Sequence, residues 1–351
     1  MKLIYEITRL PDLSLSKSQM FEDSGVDGML KAQTQLIRQL HRISMLGGVE
    51  IHFLFDYDPE RQESHRLVIY LLLSGSNDSY YSKLQKVIAA SGVSGYFSFR
   101  EVENFPSEKE YTYLAYLYKR ERFLQTEVNQ EEYYFYVVPN WELNDTARLY
   151  NLIKLMQSFN ERVCYRVDLF TERRLEEKIH KNFEKPLTYL RNLSNRDRGI
   201  SELSKLQQDR RDPNADETLH QYEDWLKKVD TNPVYKCNVC SLSDDRDYCQ
   251  ILLDSAVSEN LKSGDADICV EQGRFSALYH ADVYQGHYSE GAPSSMQEWP
   301  TTFTSEEIAA FVRFPVLYDG ETVELPKETA PVLDPEGFVI GHDRSGYPVT
   351  I

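Results

Sequence analysis

Two cysteines separated by two residues, Cys237 and Cys240, have the spacing in this 351-residue chain that is closest to a metal or redox site. A structural zinc site needs four ligands that converge on one tetrahedral centre, usually from two such pairs. Here there is one Cys-x-x-Cys, followed by the separate Cys249 and Cys269. The surrounding residues, 235–239, alternate like a strand, on which positions three apart face opposite sides. We therefore predict buried free cysteines rather than zinc ligands, and no helix follows closely enough for a redox pair.

Histidines, serines and carboxylates offer no catalytic pattern. The eight histidines are scattered, and His280 and His287, seven residues apart around a Tyr/Gly-rich turn, are predicted to be surface or core positions. No Gly-x-Ser-x-Gly nucleophile motif occurs. The 56 acidic residues are too numerous for any pair to be singled out as acid and base. No catalytic, cofactor-binding or metal-ligating residue is therefore assigned.

Phosphate-binding loops give the clearest exclusion. A Walker A loop needs a lysine directly after its last glycine, because the backbone N–H groups and that lysine together hold the phosphates. None of the 16 glycines in the chain is followed by lysine. The chain as given is therefore not a self-sufficient P-loop ATPase, and no cofactor is expected within this segment.

The charge balance bears on possible partners. With 39 basic and 56 acidic residues the chain carries a net charge of −17 and has a pI near 5.0. Such a surface repels nucleic acid and anionic membranes. The segment 116–120, Tyr-Leu-Tyr-Lys-Arg, could stack on single-stranded bases. Tyrosines in strands explain the same pattern, and the net charge favours that interpretation over direct nucleic-acid contact.

Apolar runs and cysteine usage bear on location. The longest apolar run, residues 67–73, suits a buried strand and is far shorter than the roughly 18 residues of a membrane span. The charged, alternating start of the chain is not typical of a signal peptide. Five cysteines in a chain of this length do not form a disulfide framework. A reducing cytoplasm is the predicted setting.

The elements follow a repeated order, strand–strand–helix–strand. Polar turns and alternating or continuous apolar runs mark the strands, and apolar residues at 3–4 spacing mark the helices. The first copy has strands at 49–56, 66–73 and 96–102 around a helix with Tyr81, Leu84, Val87 and Ile88 inward. The second has strands at 123–128, 133–138 and 163–170 around a helix at 149–159 that Asn144 or Asp145 would cap.

A third, partial copy and two different segments complete the chain. The partial copy has a strand at 234–240, a helix at 245–261 with Tyr248, Ile251, Leu252 and Val257 inward, and a strand at 266–279. Residues 172–230 hold 13 basic and 13 acidic residues, which predicts a solvated helical insertion with a polar loop at 197–216; a partner-docking arm is the alternative. From residue 280 onward there are 12 acidic and 3 basic residues.

These segments predict an α+β fold of repeated ferredoxin-like units with a helical insertion and an irregular, β-rich C-terminal segment. Only 305–314 looks helical near the end, capped by Thr304 or Ser305 with Glu306 and Glu307 in its first turn. Five divisions are predicted: 1–110 and 111–171 as α+β units, 172–232 as the insertion, 233–304 as a third α+β unit, and 305–351 as a lead-in to a further domain.

That last segment carries a resemblance to a known family. Ser305-Glu-Glu-Ile-Ala-Ala-Phe-Val-Arg-Phe-Pro315 is followed by a turn-rich stretch and then by Gly337-Phe-Val-Ile-Gly-His-Asp-Arg-Ser-Gly-Tyr-Pro-Val-Thr-Ile351. This resembles the lead-in of HerA/FtsK-superfamily ATPases, including the conjugation ATPases of type IV secretion. There, a helix ending in an Arg-x-Pro-like step precedes an Ile-Gly strand and a Pro-Val-x-Ile strand, and the Walker A loop follows.

The resemblance implies a function. The chain would be the N-terminal assembly or partner-binding region of a ring-forming, ATP-driven DNA translocase or helicase-like protein, with ATP and Mg bound beyond Ile351. A homo-oligomeric ring and an accessory protein partner would then be expected. The abrupt, strand-like end at Ile351 favours the same interpretation. The alternative is a stand-alone, non-enzymatic α+β interaction module, and a hydrolase or metalloenzyme comes third because no motif supports it.

Overall fold

The computed structural model describes residues 2–11, 19–75, 80–103, 110–128, 131–194, 213–277, 291–317, 323, 339–342 and 348–350. Its elements, in chain order, are β1 (Lys2–Arg9), α1 (Gln19–Gly47), β2 (Val49–Tyr57), β3 (Leu67–Gly75), α2 (Tyr81–Ala90), β4 (Ser98–Val102), β5 (Glu110–Lys119), β6 (Arg122–Val128), β7 (Glu131–Val137), β8 (Glu142–Leu143), α3 (Tyr150–Ser158), β9 (Val163–Phe170), α4 (Leu175–Ser194), α5 (Pro213–Thr231), β10 (Val234–Ser243), α6 (Arg246–Asn260), β11 (Leu261–Ser263), β12 (Ala266–Ser276), β13 (Thr302–Thr304), α7 (Ser305–Phe311), β14 (Val339–His342) and β15 (Pro348–Thr350).

A nine-stranded sheet contains two units of the same topology. Its strand order is β12-β5-β10-β9-β2-β3-β1-β4, with β13 added beside β10, and its paired strands run antiparallel. Within β1–β4 the spatial order is fourth, first, third, second, and the order of β5, β9, β10 and β12 is the same. This is the arrangement of a ferredoxin-like βαββαβ unit. The α+β class predicted from the sequence is confirmed.

The two units join edge to edge through one pair of strands. The second strand of the first unit, β2, pairs with the second strand of the other, β9, over seven residue pairs from Ile51–Leu169 to Tyr57–Val163. The middle pair is Leu54–Arg166. We call this strand pair the seam. Because equivalent strands meet at the seam, an approximate two-fold axis passes between Leu54 and Arg166.

The helices of both units cover the same face of the sheet. Helices α1 and α2 lie over the first unit and α3 and α6 over the second, and α7 contacts both α1 and α6. Alternate residues of the seam strands, such as Phe53, Phe55, Tyr165 and Val167, point into this layer and form one continuous core with it. Strand residues of the opposite face, including Leu54, Cys164 and Cys240, form a second buried cluster. Burial of both faces explains the continuous apolar run of β3.

The charged insertion packs as a separate helical layer. Helices α4 and α5 contact one another and enclose a core with Trp225, Trp299 and the β6–β7 hairpin. The predicted helical insertion is thus confirmed for its described residues, and α4 continues through Pro186. Helix α5 begins at Pro213, inside the segment predicted as a loop, and residues 197–212 of that loop lie outside the described part of the chain.

The strand pairing groups the elements differently from the predicted repeat. The expected second copy places 123–128 and 133–138 beside Val163–Phe170, but β6 and β7 pair only with each other in the described structure and pack on α5. The first strand of the second unit is β5, and the expected third copy supplies that unit's other half. The order of the strands along the chain therefore led to a wrong prediction of which strands pair. The division into five domains stays a prediction.

Some local predictions also differ from the structure. Residue 149, rather than Asn144 or Asp145, is the N-cap of α3, and Leu149 has a left-handed φ of 55°. Asn144 instead accepts hydrogen bonds from Thr146, within its own turn. On α6 the predicted inward residue Leu252 is buried, and Tyr248 and Val257 pack half-buried against the core, but Ile251 is 45% exposed.

Candidate functional site at the seam between two units

A buried charge network crosses the seam on the face away from the helices. His52 of β2 lies directly opposite Asp168 of β9, and its Nδ1 is 2.7 Å from Asp168 Oδ1. The other carboxylate oxygen of Asp168 accepts from Arg166 Nε at 3.1 Å and from Asn238 Nδ2 at 3.4 Å. Arg166 also donates to the carbonyl of Ala277 at 3.0 Å. The imidazole, the carboxylate and the guanidinium are each at least 96% buried.

Each charge of the network shifts the pKa of its neighbour. Burial by itself lowers the pKa of His52, but the hydrogen bonds to Asp168 and Glu50 outweigh burial, so the pKa is raised. For Asp168, burial raises the pKa, while Arg166 and His52 outweigh burial and leave the pKa lowered. Both shifts favour the ion pair. The network therefore holds the two units together with charged hydrogen bonds.

The seam network has part of the geometry of a Ser-His-Asp triad. Ser74 Oγ lies 3.5 Å from His52 Nε2, on the side of the ring away from Asp168. A catalytic serine would need an accessible oxygen and oxyanion donors beside it. Ser74 instead lies within strand β3, also hydrogen-bonds to Glu50 at 3.4 Å, and is 9% exposed. This arrangement fits a structural role in the contact between the units better than an acyl-transfer site.

The two-fold relation of the units gives Asp168 a counterpart. Asp56 follows Leu54 by two residues on β2, as Asp168 follows Arg166 by two residues on β9. Asp56 is fully buried, and its carboxylate oxygens lie 2.5 Å from Arg61 Nη2 and 3.1 Å from Tyr111 Oη. Each seam strand thus carries one buried aspartate, and each aspartate is compensated by an arginine.

A second buried ion pair lies on the helix side. Lys119, at the end of β5, donates to both carboxylate oxygens of Glu307 at 2.9 and 3.0 Å, and both side chains are at most 2% exposed. The ammonium also lies 4.5 Å from the Trp225 ring centroid and 4.8 Å from that of Phe303. Burial lowers the pKa of Lys119, and Glu307 opposes this shift. Glu307 completes a capping box with Thr304 at the start of α7, and the predicted cap is confirmed.

Residues 299–317, which we call the junction segment, lie between the two units and bond to both. On the first unit, Gln33 of α1 donates to the Phe314 carbonyl and accepts from the Phe314 N–H at 2.6 Å. On the second unit, Tyr165 donates to the Phe311 carbonyl at 2.9 Å, and Arg313 donates to the Ala147 carbonyl at 2.6 Å. The junction segment therefore fixes the units relative to one another.

Phe314 is the principal apolar anchor of the junction segment. Its ring is 1% exposed and lies 5.3–5.9 Å, between centroids, from Phe53, Phe97 and Phe99. We expect Phe314→Ala to lower the free energy of unfolding by about 3–5 kcal/mol, because the smaller side chain leaves a cavity. Urea unfolding followed by circular dichroism measures this loss. Ile251→Ala, on the exposed side of α6, is the control and should change stability by less than about 1 kcal/mol; equal effects would contradict the anchor role.

The four cysteines singled out in the sequence lie within or against the hydrophobic cores of the sheet. Strand β10 confirms the predicted strand, and Cys237 packs on the helix side while Cys240 packs on the opposite side. Burial raises the pKa of Cys237 and raises that of Cys240 to about 12, so neither is a ready thiolate. Cys249 is also buried, and Cys269 is half-buried.

The other residues singled out in the sequence do not come together as a site either. Tyr116 and Lys119 belong to β5, and Lys119 is buried against Glu307 rather than free to meet a base. His280 and His287 lie outside the described residues. Among the residues that the structure describes, no group of three or more His, Cys, Asp or Glu side chains is placed to hold a metal ion.

The seam network and the junction contacts were not predicted from the sequence. The only local signal was the occurrence of polar residues, His52, Asp56, Arg166 and Asp168, inside strands that are otherwise apolar. Charged residues are rarely buried unless they are paired, so each of these residues signals a partner without identifying it. Helix α1 is also missing from the sequence-based prediction, although Leu36 and Leu40 recur at helical spacing.

No family model matches the chain, and no curated protein is similar enough to count as a match. Within the described residues, no helix combines the length and the apolar character that crossing a bilayer would require.

Proposed function

We propose that this chain is the N-terminal assembly or partner-binding region of a ring-forming, ATP-driven DNA translocase or helicase-like protein of the HerA/FtsK type. In this proposal the chain is not itself the catalyst, and ATP and Mg bind beyond Ile351. The motor would do the mechanical work, and this region would organise the oligomer or dock an accessory protein in the cytoplasm.

The position of the junction segment is the observation that carries the proposal. Residues 305–315 begin the stretch that resembles the lead-in of these motors, and they are held by Gln33 of the first unit and by Tyr165 of the second. A domain attached after such a segment would be linked to both units at once. Movement or force in that domain would then reach the whole sheet rather than one flexible end.

The use made of the reactive side chains supports a non-catalytic role. The imidazole of His52, the carboxylate of Asp168 and the ammonium of Lys119 all take part in buried ion pairs that join parts of the fold. Catalytic groups need access to a substrate as well as a perturbed environment. These groups are positioned to hold the units together.

The ends of the sheet offer surfaces for partners. Strands β4 and β12 end the sheet on opposite sides, and both are partly exposed along their length. An edge strand can accept a further strand from another chain through its free backbone groups. Within the described part of the chain, a homo-oligomer or an accessory protein would have two such edges available.

The coding sequence downstream of Ile351 gives the first test of the proposal. We expect it to encode Gly-x-x-x-x-Gly-Lys-Ser/Thr within about 40 residues, the loop that cradles phosphates in these motors. A stop codon or an unrelated domain at that point would favour the stand-alone interaction module instead.

ATP turnover gives an independent test. We expect residues 1–351 to hydrolyse no ATP above background, because the Gly-Lys backbone cradle for phosphates is missing from the sequence. Phosphate release is measured on protein from two unrelated purification schemes, so that contaminating ATPases differ between the samples. Turnover that follows this chain through both schemes would overturn the proposal.

A further inference from the structure

A cavity of about 530 Å³ opens where the two units and the junction segment meet. One wall is a stripe of α1 that includes Lys31, Thr34 and Arg38, and another is the turn at Leu143 and Asp145 before α3. The junction segment contributes Glu306 and Arg313. The volume of this cavity is within the range of small-molecule sites in proteins. We call it the junction cavity.

Arg313 is the unusual group of the junction cavity. It is 6% exposed, and its Nη1 donates to the carbonyls of Asn144 and Ala147. Among the described residues, its Nε has no hydrogen-bond partner and no carboxylate forms an ion pair with it. Burial lowers its pKa, and the carboxylates of Asp145 and Glu259 offset only part of that shift. Buried arginines are normally paired with an anion, because an uncompensated buried charge is costly.

Three other charged residues of the cavity wall, Arg38, Glu306 and Asp145, form ion pairs of their own. Arg38 is already neutralised by Glu306 at 2.6 Å. Asp145 is 85% exposed in its side chain and faces Lys262 at 3.4 Å. Lys31 is exposed on the wall and, among the described residues, has no ion pair. Among the described residues, Lys31 and Arg313 are therefore the two cations of the wall that form no ion pair with a carboxylate.

We propose that the junction cavity binds a small molecule through a carboxylate or phosphate group held by Arg313 and Lys31. The guanidinium offers a planar set of donors that suits either oxyanion, and Lys31 adds a mobile second charge at the rim. Asp27, which lines the cavity one turn before Lys31 on α1, accepts a hydrogen bond from a donor elsewhere on the ligand. The site does not depend on the proposed motor function.

Binding should tighten the contact between the units. The walls belong to α1 of the first unit, to the turn before α3 of the second and to the junction segment, so a bound anion contacts all three. A ligand that binds only the folded protein raises its melting temperature in a saturable way. Hydrogen exchange of residues 27–38 and 305–317 should slow at the same ligand concentrations.

The test uses thermal unfolding of the full 351-residue chain in orthophosphate, in acetate and in chloride at matched ionic strength. We expect a saturable rise in melting temperature with at least one oxyanion and none with chloride. A rise with phosphate alone identifies a phosphate ligand, and a rise with acetate alone identifies a carboxylate. Lys31→Gln should raise the half-saturating concentration about two- to fivefold, as expected for loss of one exposed charge.

Matched variants separate the site from general salt effects. Lys154→Gln removes the same charge from the exposed face of α3, outside the cavity, and should leave half-saturation unchanged. Arg313→Gln should abolish the saturable rise if the variant folds, and Lys31→Gln keeps the test decisive if it does not. Equal behaviour of Lys31→Gln and Lys154→Gln, or no rise beyond chloride with either oxyanion, would overturn the proposal.

Discussion

Replacing Asp168 with Asn should lower the free energy of unfolding by about 3–5 kcal/mol, the usual cost of removing one member of a buried ion pair. The substitution preserves shape but removes the negative charge that faces His52 across the seam and Arg166 on the same strand. Urea unfolding at pH 6 measures the loss. Asp254→Asn, on the exposed side of α6, is the matched control and should change stability by less than about 0.5 kcal/mol. A loss for Asp168→Asn as small as for the control would show that the network does not stabilise the seam.

The same network predicts a pH dependence whose sign follows from the two pKa shifts. The pKa of His52 is raised above 6.5, so its stabilisation is complete below that pH and is lost as the pH rises through the folded-state pKa. The pKa of Asp168 is lowered below 3.8, so its stabilisation is present above that pH and is lost on acidification through the folded-state pKa. The stability difference between the native protein and His52→Gln should therefore be larger at pH 5.5 than at pH 9. A difference that grows with pH would contradict the assigned ion pair.

Breaking the Lys119–Glu307 pair should have an effect of similar size. We expect Lys119→Met and Glu307→Gln each to cost about 3–5 kcal/mol, because either change leaves the opposite charge buried at the contact between β5 and α7. Gln at position 307 keeps the capping box with Thr304, since its side-chain carbonyl still accepts from the cap. That variant therefore tests the charge rather than the cap.

A double-mutant cycle measures how strongly Lys119 and Glu307 are coupled. The double variant should lose clearly less stability than the two single variants together, because no unpaired charge remains in it. The exposed pair Arg191–Glu223 supplies the control, and Glu223→Gln should cost less than about 1 kcal/mol. Additive losses at Lys119 and Glu307 would show that the two charges act independently.

The sequence by itself determined most of the local structure. Strand β9 was predicted with its observed bounds, and α2, α7 and β10 follow from helical spacing, an N-cap and alternation. The tail strands β14 and β15 were also predicted, and they pair with each other. These features arise from backbone propensities and from contacts within a few residues, which a stretch of sequence carries within itself.

Only the tertiary structure decided which elements are neighbours. His52 and Asp168 are separated by 116 positions and Lys119 and Glu307 by 188, and nothing in an alternating strand specifies the strand beside it. Pairing is selected by how the whole chain buries its apolar faces and compensates its charges. For that reason the seam, the junction segment and the cavity at Arg313 come from packing across the molecule, whereas the strands and helices that form them were already indicated by the residues.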